Sequence, residues 1–393
     1  MKISPLPYKS FLRDVKMRRF FERIADYIRE TDKILILLCL AACLYGSTVI
    51  LSATYIGSGF QRCIVQLIGT FLGLGVAVFI SLFDYKNILK YWYLFAGLGF
   101  GLVMLTFFFG YAPEGTDDKA WLALPFGQSF QPSELLKVAF VISFTTHILK
   151  VMKRGYISFF NVILLCIHGA IPVLLIHLQG DDGTAMVIFI MFLAMLLTAK
   201  VSLWYFAAAG GAVAIAAPIL WFFIMNIDQK SRFLALIYPE QYEAIIYQQS
   251  RGMTAIGSGG FFGYGLFQGP YVQGGNIPLG YNDFIFASIG EELGFLGCMA
   301  VIGLLFAICY RILKVGLKSR DIQGKIICSG IFAMFAAQSV INIGMCLSIL
   351  PVIGITLPFF SAGGTSTVSL FLGIGLVLSI YKNRNRKALV LGD

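Results

Sequence analysis

Charge is scarce in this sequence, and so are the residues from which soluble active sites are most often built. Asp, Glu, Lys and Arg make up 13% of the 393 residues, beside three histidines and four tryptophans. No long polar stretch is present, which excludes a separate soluble domain. The eight cysteines form no CxxC pair and lie almost wholly in apolar runs, as Cys39, Cys43, Cys166 and Cys298 do. They read as small apolar residues rather than a disulfide framework or a thiolate site. His147, His168 and His177 are scattered and make no HExxH pattern, which argues against a zinc centre. The glycine-rich run GSGGFFGYGLFQGPYVQGGN (257–276) has no strand before it and no GK[ST] after it, so it is not a phosphate loop. It reads as a compact loop that needs close backbone approach and positive φ. Nor is there a basic–aromatic module for nucleic acid.

What the chain has instead is apolar length. It is 58% hydrophobic with a mean hydropathy of +0.82, far above the roughly half-apolar usage of soluble domains. The expected class is an all-α integral membrane protein. Ten spans of about 20 residues are expected, at 34–53, 63–83, 91–109, 132–149, 158–178, 184–199, 202–226, 283–312, 325–349 and 364–381. An even count puts both termini on one side. With a cytoplasmic N-terminus, 24 of the 30 basic residues fall on inside segments, five face outward (Arg62, Lys119, Lys230, Arg232 and Arg251), and Lys137 lies within a span. This is the positive-inside pattern, so the net charge of +10 is a topology signal.

The expected organisation is a cytoplasmic basic leader (1–33), one polytopic membrane domain (34–381) and a cytoplasmic basic tail (382–393). Met17, Phe20, Phe21, Ile24 and Ile28 recur at helical spacing in the leader, as in an interfacial anchoring helix, and the first span is expected to act as a signal-anchor. Three long connections face outward, at 110–131, 227–282 and 350–363. The middle one, an extracellular loop between helices 7 and 8, is too long for a mere connector. The site is therefore expected to open outward.

Four stretches carry the chemistry. QPSELLK puts Glu134 and Lys137 three residues apart on one helical face; they form either a self-neutralising ion pair or a cation that faces an anionic substrate. LQGDDGT places Asp181 and Asp182 at an outer helix boundary, where a solvated turn is the plainer reading. The stretch 341–366 pairs a polar Asn342 with a Pro/Gly-interrupted run, which suggests a broken or re-entrant segment beside a cavity. YNDFIFASIGEELG carries Asp283, Glu291 and Glu292. On a continuous helix, eight residues separate Asp283 from Glu291 by about 12 Å, beyond the roughly 5–9.5 Å of glycosidase carboxylate pairs. Asp283 is thus expected at the outer rim, and the two glutamates deeper, as wiring of the bundle.

Together QPSELLK, LQGDDGT, YQQSRGMTAIGSGGFFGYG, NDFIFASIGEELG and LPFFSAGGTS, in this order along ten spans, resemble the SEDS (shape, elongation, division, sporulation) family, which includes RodA, FtsW and SpoVE. The resemblance implies a peptidoglycan glycosyltransferase that polymerises lipid II at the outer face of the bacterial cytoplasmic membrane. It makes Asp283 the catalytic residue, with Glu134, Lys137 and the loop tryptophan Trp121 on family positions. The partners it implies are lipid II, the growing glycan strand and a class B penicillin-binding protein that crosslinks the strands. The chain departs from the family pattern at Gly180 and Asp182, where Pro and Leu are common, at Ala120, where Arg is common, and at Asn282 and Ala362. IGEELG looks division-type while the short ends look RodA-like, so the subtype stays open with a lean to RodA.

The implied reaction suits these residues. A sugar hydroxyl attacking an anomeric carbon needs one base, and Asp283 can serve. A diphosphate departs as a stable anion and needs cations, for which Arg62, Lys119, Lys137 and Arg232 are the candidates. Glu134, Asp181, Glu291 and Glu292 are supporting residues. No cofactor is established; a Mg²⁺ or Mn²⁺ bridging diphosphate oxygens would ease the shortage of cations, though no ligand cluster marks a site for one. The alternative is a lipid II flippase, which would use Lys137, Glu134, Glu291 and Glu292 as a charged path.

Overall fold

The computed structural model describes residues 27–384 except 28, 56, 58, 59, 113–117, 125–127 and 154–157. Most of the expected leader and tail therefore lies outside the described residues. In chain order the helices are α1 (Lys33–Thr54), α2 (Gln61–Leu82), α3 (Tyr85–Lys90), α4 (Trp92–Phe109), α5 (Pro132–Met152), α6 (Phe159–His177), α7 (Asp182–Thr198) and α8 (Leu203–Ile219). They continue with α9 (Ile227–Ile237), α10 (Glu243–Ser258), α11 (Pro270–Gln273), α12 (Ile285–Leu317), α13 (Ile322–Cys346) and α14 (Gly364–Asn383). Two three-residue strands, β1 (Leu122–Leu124) and β2 (Gln128–Phe130), pair antiparallel just before α5. The protein is an all-α membrane protein: α1, α2, α4, α5, α6, α12, α13 and α14 are long and apolar enough to cross a bilayer. The sixth and seventh expected spans fall on α7 and α8, apolar but only 17 residues each.

The connection expected as an outward loop at 227–282 is largely helical, which corrects its description as a loop. Asn226 and Gln229 form a reciprocal capping box that starts α9, satisfying two backbone donors at once. The amphipathic α10 buries Gln249, whose side-chain amide donates to the carbonyls of Met345 and Leu350 at 2.9 and 2.8 Å.

Two pairings set the direction of the bundle. Asp32 caps α1 and takes an ion pair from Arg311 at 2.7 Å, while Ser52 near the other end of α1 donates to Glu292 at 2.7 Å. So α1 and α12 run antiparallel. By contrast α2 and α14 run parallel: Gln66 near the start of α2 donates to Thr367 at the start of α14, and Ser379 near the end of α14 donates to the carbonyl of Phe83, just past the end of α2. Small residues allow these two helices to touch: a Cβ on Gly69 would lie 2.7 Å from the Gly364 backbone, and one on Gly375 2.9 Å from the Ala77 carbonyl. Such approach is how membrane helices gain packing without a hydrophobic drive between them. One end of the bundle carries the Asp32–Arg311 and Lys86–Asp321 pairs (2.7 and 2.5 Å). The other carries Ser52, Gln66 and Glu292.

The eighth span is not one continuous helix. Gly294 has φ 64° and ψ −162° and breaks α12 after its first nine residues. The break deletes the bonds from Phe295 N–H to the Glu291 carbonyl and from Leu296 N–H to the Glu292 carbonyl. The glycine-rich run replaces both: Phe295 and Leu296 donate to the carbonyls of Gly260 and Phe261 at 2.9 and 3.2 Å, and Tyr264 and Gly265 donate to those of Glu291 and Glu292 at 3.1 and 2.8 Å. The run thus lies against α12 backbone to backbone. A Cβ on Gly263 would sit 2.2 Å from the Glu292 carbonyl, and Gly263 itself has φ +79°. Past the break, some 23 residues of α12 remain, about 34 Å of helix, enough to span a hydrocarbon core.

Gly294→Ala is expected to lower the melting temperature in detergent and open the 259–276 run to limited proteolysis. The added Cβ meets Gly263 N at 2.3 Å, on top of about 1–3 kcal/mol for a conformation nearly reserved for glycine.

Candidate active site

Four helices begin near one another at the end of the bundle opposite the Arg311 pair. Gln131, the N-cap residue of α5, donates its side-chain amide to Asp181 at 2.8 Å, and Asp181 caps α7 by accepting from Thr184 N–H at 2.8 Å. Pro132 opens α5, a position that needs no N–H. In the first turn of the same helix, Glu134 accepts from Lys137 at 2.7 Å and from Ser366, in the first turn of α14, at 3.2 Å. Lys137 is wholly enclosed. Of the two readings of QPSELLK, the geometry is the ion pair, and Lys137 does not open to a cavity as a free cation would. Helix N-termini carry partial positive charge, which favours the carboxylates gathered here.

Asp283 precedes the fourth of these helices, α12, whose N-cap residue is Phe284. It is only 9% exposed, at the end of the bundle where these helices begin. Nor is it solitary. Burial first, and the neighbouring Asp181 charge second, push its carboxyl up to about 6. Burial also raises Asp181, against the Thr184 hydrogen bonds and the Lys137 charge, which lower it. Both shifts follow from the cost of an ionised carboxylate in low dielectric.

The backbone around Asp283 is held by 342–362. Successive carbonyls of Tyr281, Asn282 and Asp283 accept from Ala362 N–H (3.0 Å), the Ser361 hydroxyl (2.8 Å) and the Asn342 side-chain amide (2.7 Å). The segment after α13 is irregular, with Gly354 at φ +66° beside the Asp283 carboxylate, as the Pro/Gly pattern led one to expect. Gly183, in the first turn of α7, packs against the carbonyl of Ile353 in the same segment.

Glu291 and Glu292 do not face Asp283. Their side chains, like their carbonyls, hold the glycine-rich run. Glu291 accepts from Tyr271 and Val272 N–H, both at 2.7 Å, at the start of α11. Glu292 accepts from Ser52 (2.7 Å), Phe267 N–H (3.1 Å) and Gln273 (2.9 Å). The wiring foreseen between bundle helices thus runs mainly to the loop, with Ser52 as the link to a helix.

The remaining candidates lie around this cluster. The Arg62 guanidinium stacks 3.8 Å above the Tyr281 ring, two residues from Asp283. Trp121 is half-buried and its carbonyl accepts from Tyr111 N–H at 3.0 Å, which anchors the hairpin to the end of α4. Lys119 is exposed just before that hairpin, and Arg232 is half-buried on α9. Among the described residues neither joins the hydrogen-bonded cluster. Asp181 and Asp283 feel each other's charge, but no group of three or more His, Cys, Asp or Glu among the described residues could hold a metal ion. Sequence reasoning missed Ser361 and Ser366 and left Gln131 and Asn342 without a role in the site; the available signal was a polar side chain at the edge of an apolar span.

The family model described as "Cell cycle protein", for FtsW, RodA and SpoVE, matches residues 32–386. The chain belongs to the FtsW/RodA/SpoVE family. It is 30% identical over 358 residues to the peptidoglycan glycosyltransferase MrdB of Escherichia coli K12, covering 90% of this chain and 94% of that protein. It is 29% identical over 364 residues to the "Probable peptidoglycan glycosyltransferase FtsW" of Geobacter sulfurreducens, covering 90% and 95%. In fold it resembles a chain of a peptidoglycan synthase complex that coordinates polymerization and crosslinking (TM-score 0.78, 24% identity, 91% of this chain and 99% of that one). It also resembles the rod shape determining protein RodA of Thermus thermophilus (TM-score 0.67, 22% identity, 91% and 98%).

Lys137→Met strands Glu134 in the interior and is expected to cost about 3–5 kcal/mol, the usual penalty for breaking a buried pair. Adding Glu134→Gln should recover most of that stability. Thermal unfolding of the two single variants and the double variant in detergent checks the cycle.

Proposed function

We propose that this chain is a peptidoglycan glycosyltransferase that polymerises lipid II into glycan strands at the outer face of the bacterial cytoplasmic membrane. The observation that carries this reading is Asp283: a buried carboxyl raised to about 6, and so mostly ionised at neutral pH, at the bundle end opposite the Arg311 and Lys86 pairs. Positive-inside bias makes the basic end cytoplasmic, so the Asp283 end faces outward. There Asp283 takes the proton of the acceptor sugar hydroxyl as its oxygen bonds to the donor's anomeric carbon. The bond from that carbon to the diphosphate oxygen breaks, the configuration inverts, and the lipid diphosphate leaves without a general acid. A pKa near the working pH is what a general base needs.

The converging helix N-termini and the cations around them favour the diphosphates. Arg62, stacked on Tyr281 two residues from Asp283, is the first candidate; Lys119, Trp121 and Arg232 would contact substrate from the hairpin and α9. Lys137, closed against Glu134, acts through its field on Asp181 rather than by touching substrate. Asp181 and Asp283 would be the carboxylates to hold a Mg²⁺ or Mn²⁺, which would neutralise diphosphate charge there. An apolar groove of about 310 Å³ between α4, α5 and α6, lined by Phe100, Leu136, Phe140 and Pro172 among others, suits part of a polyprenyl tail and lies next to Lys137 in sequence. A flippase path is less well supported, because Glu134, Lys137, Glu291 and Glu292 are all engaged in bonds at the Asp283 end. Crosslinking falls to a class B penicillin-binding protein, in keeping with the synthase complex that the fold resembles. Relatives of the RodA and FtsW kinds match almost equally, which leaves elongation and division equally supported.

Asp283→Asn is expected to abolish glycan synthesis from labelled lipid II by the purified protein with its partner, with folding retained. For the wild type, kcat/KM should rise with pH through a midpoint near 6, since only the ionised carboxylate accepts a proton and that form is lost below this value. Equal product from the Asn variant, or a flat acid limb, would remove Asp283 from the base role.

A further inference from the structure

Resting on the reading of Asp283 as the base, we propose that Asn342 is the residue that positions it, by fastening Asp283 and the irregular segment after α13 into one rigid unit. Among the described residues, the Asp283 carboxylate oxygens receive no hydrogen bond, so nothing attached to the carboxylate itself fixes its direction. Its aim depends on the backbone that bears it. That backbone is outside the helix: Ala287 donates to the Phe284 carbonyl, and the Asp283 carbonyl is left without a helical partner.

Asn342 supplies the partner. It is fully buried on α13, and both hydrogens of its carboxamide are used, one toward the Asp283 carbonyl at 2.7 Å and one toward the Ile355 carbonyl at 2.6 Å. Cys346, one turn further along the same face, approaches the same Asp283 carbonyl at 3.5 Å. A carboxamide can bridge two carbonyls because its NH₂ has two donors at a fixed angle. Leu keeps the branched outline of the side chain but has no donor, and Asp would set an oxygen against two others.

The second carbonyl matters as much as the first. Ile355 follows Gly354, the residue whose Cα faces the Asp283 carboxylate, and Ile353 touches Gly183 in the turn that Asp181 caps. By holding Ile355 and Asp283 together, Asn342 fixes the carboxylate against the wall it faces and against its acidic neighbour. Ser361 reinforces the arrangement by donating to the Asn282 carbonyl at 2.8 Å while accepting from Leu357 N–H at 2.8 Å. A displacement of about 1 Å at a reacting group can cost on the order of 100-fold in rate, so loss of the bridge should appear in turnover rather than in substrate capture.

The test is steady-state polymerisation of lipid II by the full chain with its penicillin-binding partner, for wild type, Asn342→Leu, Asn342→Gln, Ser361→Ala and Asp283→Asn. The expected results are a fall in kcat on the order of 100-fold for Asn342→Leu with KM within about threefold, and a shifted acid limb in its pH profile. Asn342→Gln, which keeps both donors on a longer arm, should regain part of kcat, and Ser361→Ala should lose kcat in the same sense but less. A folded Asn342→Leu protein with wild-type kcat and acid limb overturns the proposal. Should that variant not fold, an unchanged kcat in Ser361→Ala overturns it instead. If Asp283→Asn polymerises normally, the base assignment falls and this inference with it. If Asp283→Asn is inert while Asn342→Leu is normal, the positioning role alone falls.

Discussion

A helix broken inside a membrane protein must hand its freed backbone groups to something, because hydrocarbon offers no hydrogen bonds. The break at Gly294 frees two carbonyls and two N–H groups, and the glycine-rich run takes all four. The same two residues that lose their helical partners, Glu291 and Glu292, then use their carboxylates to hold the rest of that run. This exchange ties the connection between α10 and α11 to the first turns of α12. Those turns begin directly after Asp283, so the placement of the candidate base depends on it.

Seen this way, the three carboxylates of one short stretch obey a single rule with different outcomes. Hydrogen bonds to a buried carboxylate favour its ionised form, against the cost of taking that form out of water. Glu291 has two backbone donors and Glu292 has three partners on one oxygen, and both serve architecture. Asp283 has none on its carboxylate among the described residues, and burial first, then a second acid beside it, lifts it to about 6. What makes it useless as a strut makes it fit for proton transfer. Glu134 is the intermediate case, satisfied by Lys137 and Ser366 and so committed to joining α5 to α14.

Much of this was legible in the sequence, wherever the physics is local. Apolar length marked the membrane helices, the i,i+3 spacing of Glu134 and Lys137 foretold their contact, and the proline and glycine residues after Asn342 foretold irregular backbone. What stayed hidden depends on partners far apart in the chain. Gly294 reads as one more small residue in an apolar run, because its loop partners lie some thirty residues upstream. The carboxamide of Asn342 meets a carbonyl 59 positions away. The helices inside 227–282 were overlooked for another reason: that stretch is too polar to register as a span, although Asn226 and Gln229 spell a capping box.

The antiparallel pair α1 and α12 is fastened at both extremities, by Asp32 to Arg311 and by Ser52 to Glu292. A strut pinned twice cannot piston. Sliding either helix by one residue, about 1.5 Å, would pull both fastenings out of register together. At the other extreme stands α8, none of whose residues is fully buried and which meets the core through Tyr205 and Phe206. The mechanical compliance of the molecule is therefore unevenly shared. One pair of helices forms the stationary frame, and α8, gripped chiefly by its surroundings, is the panel that can swing at least expense to the fold.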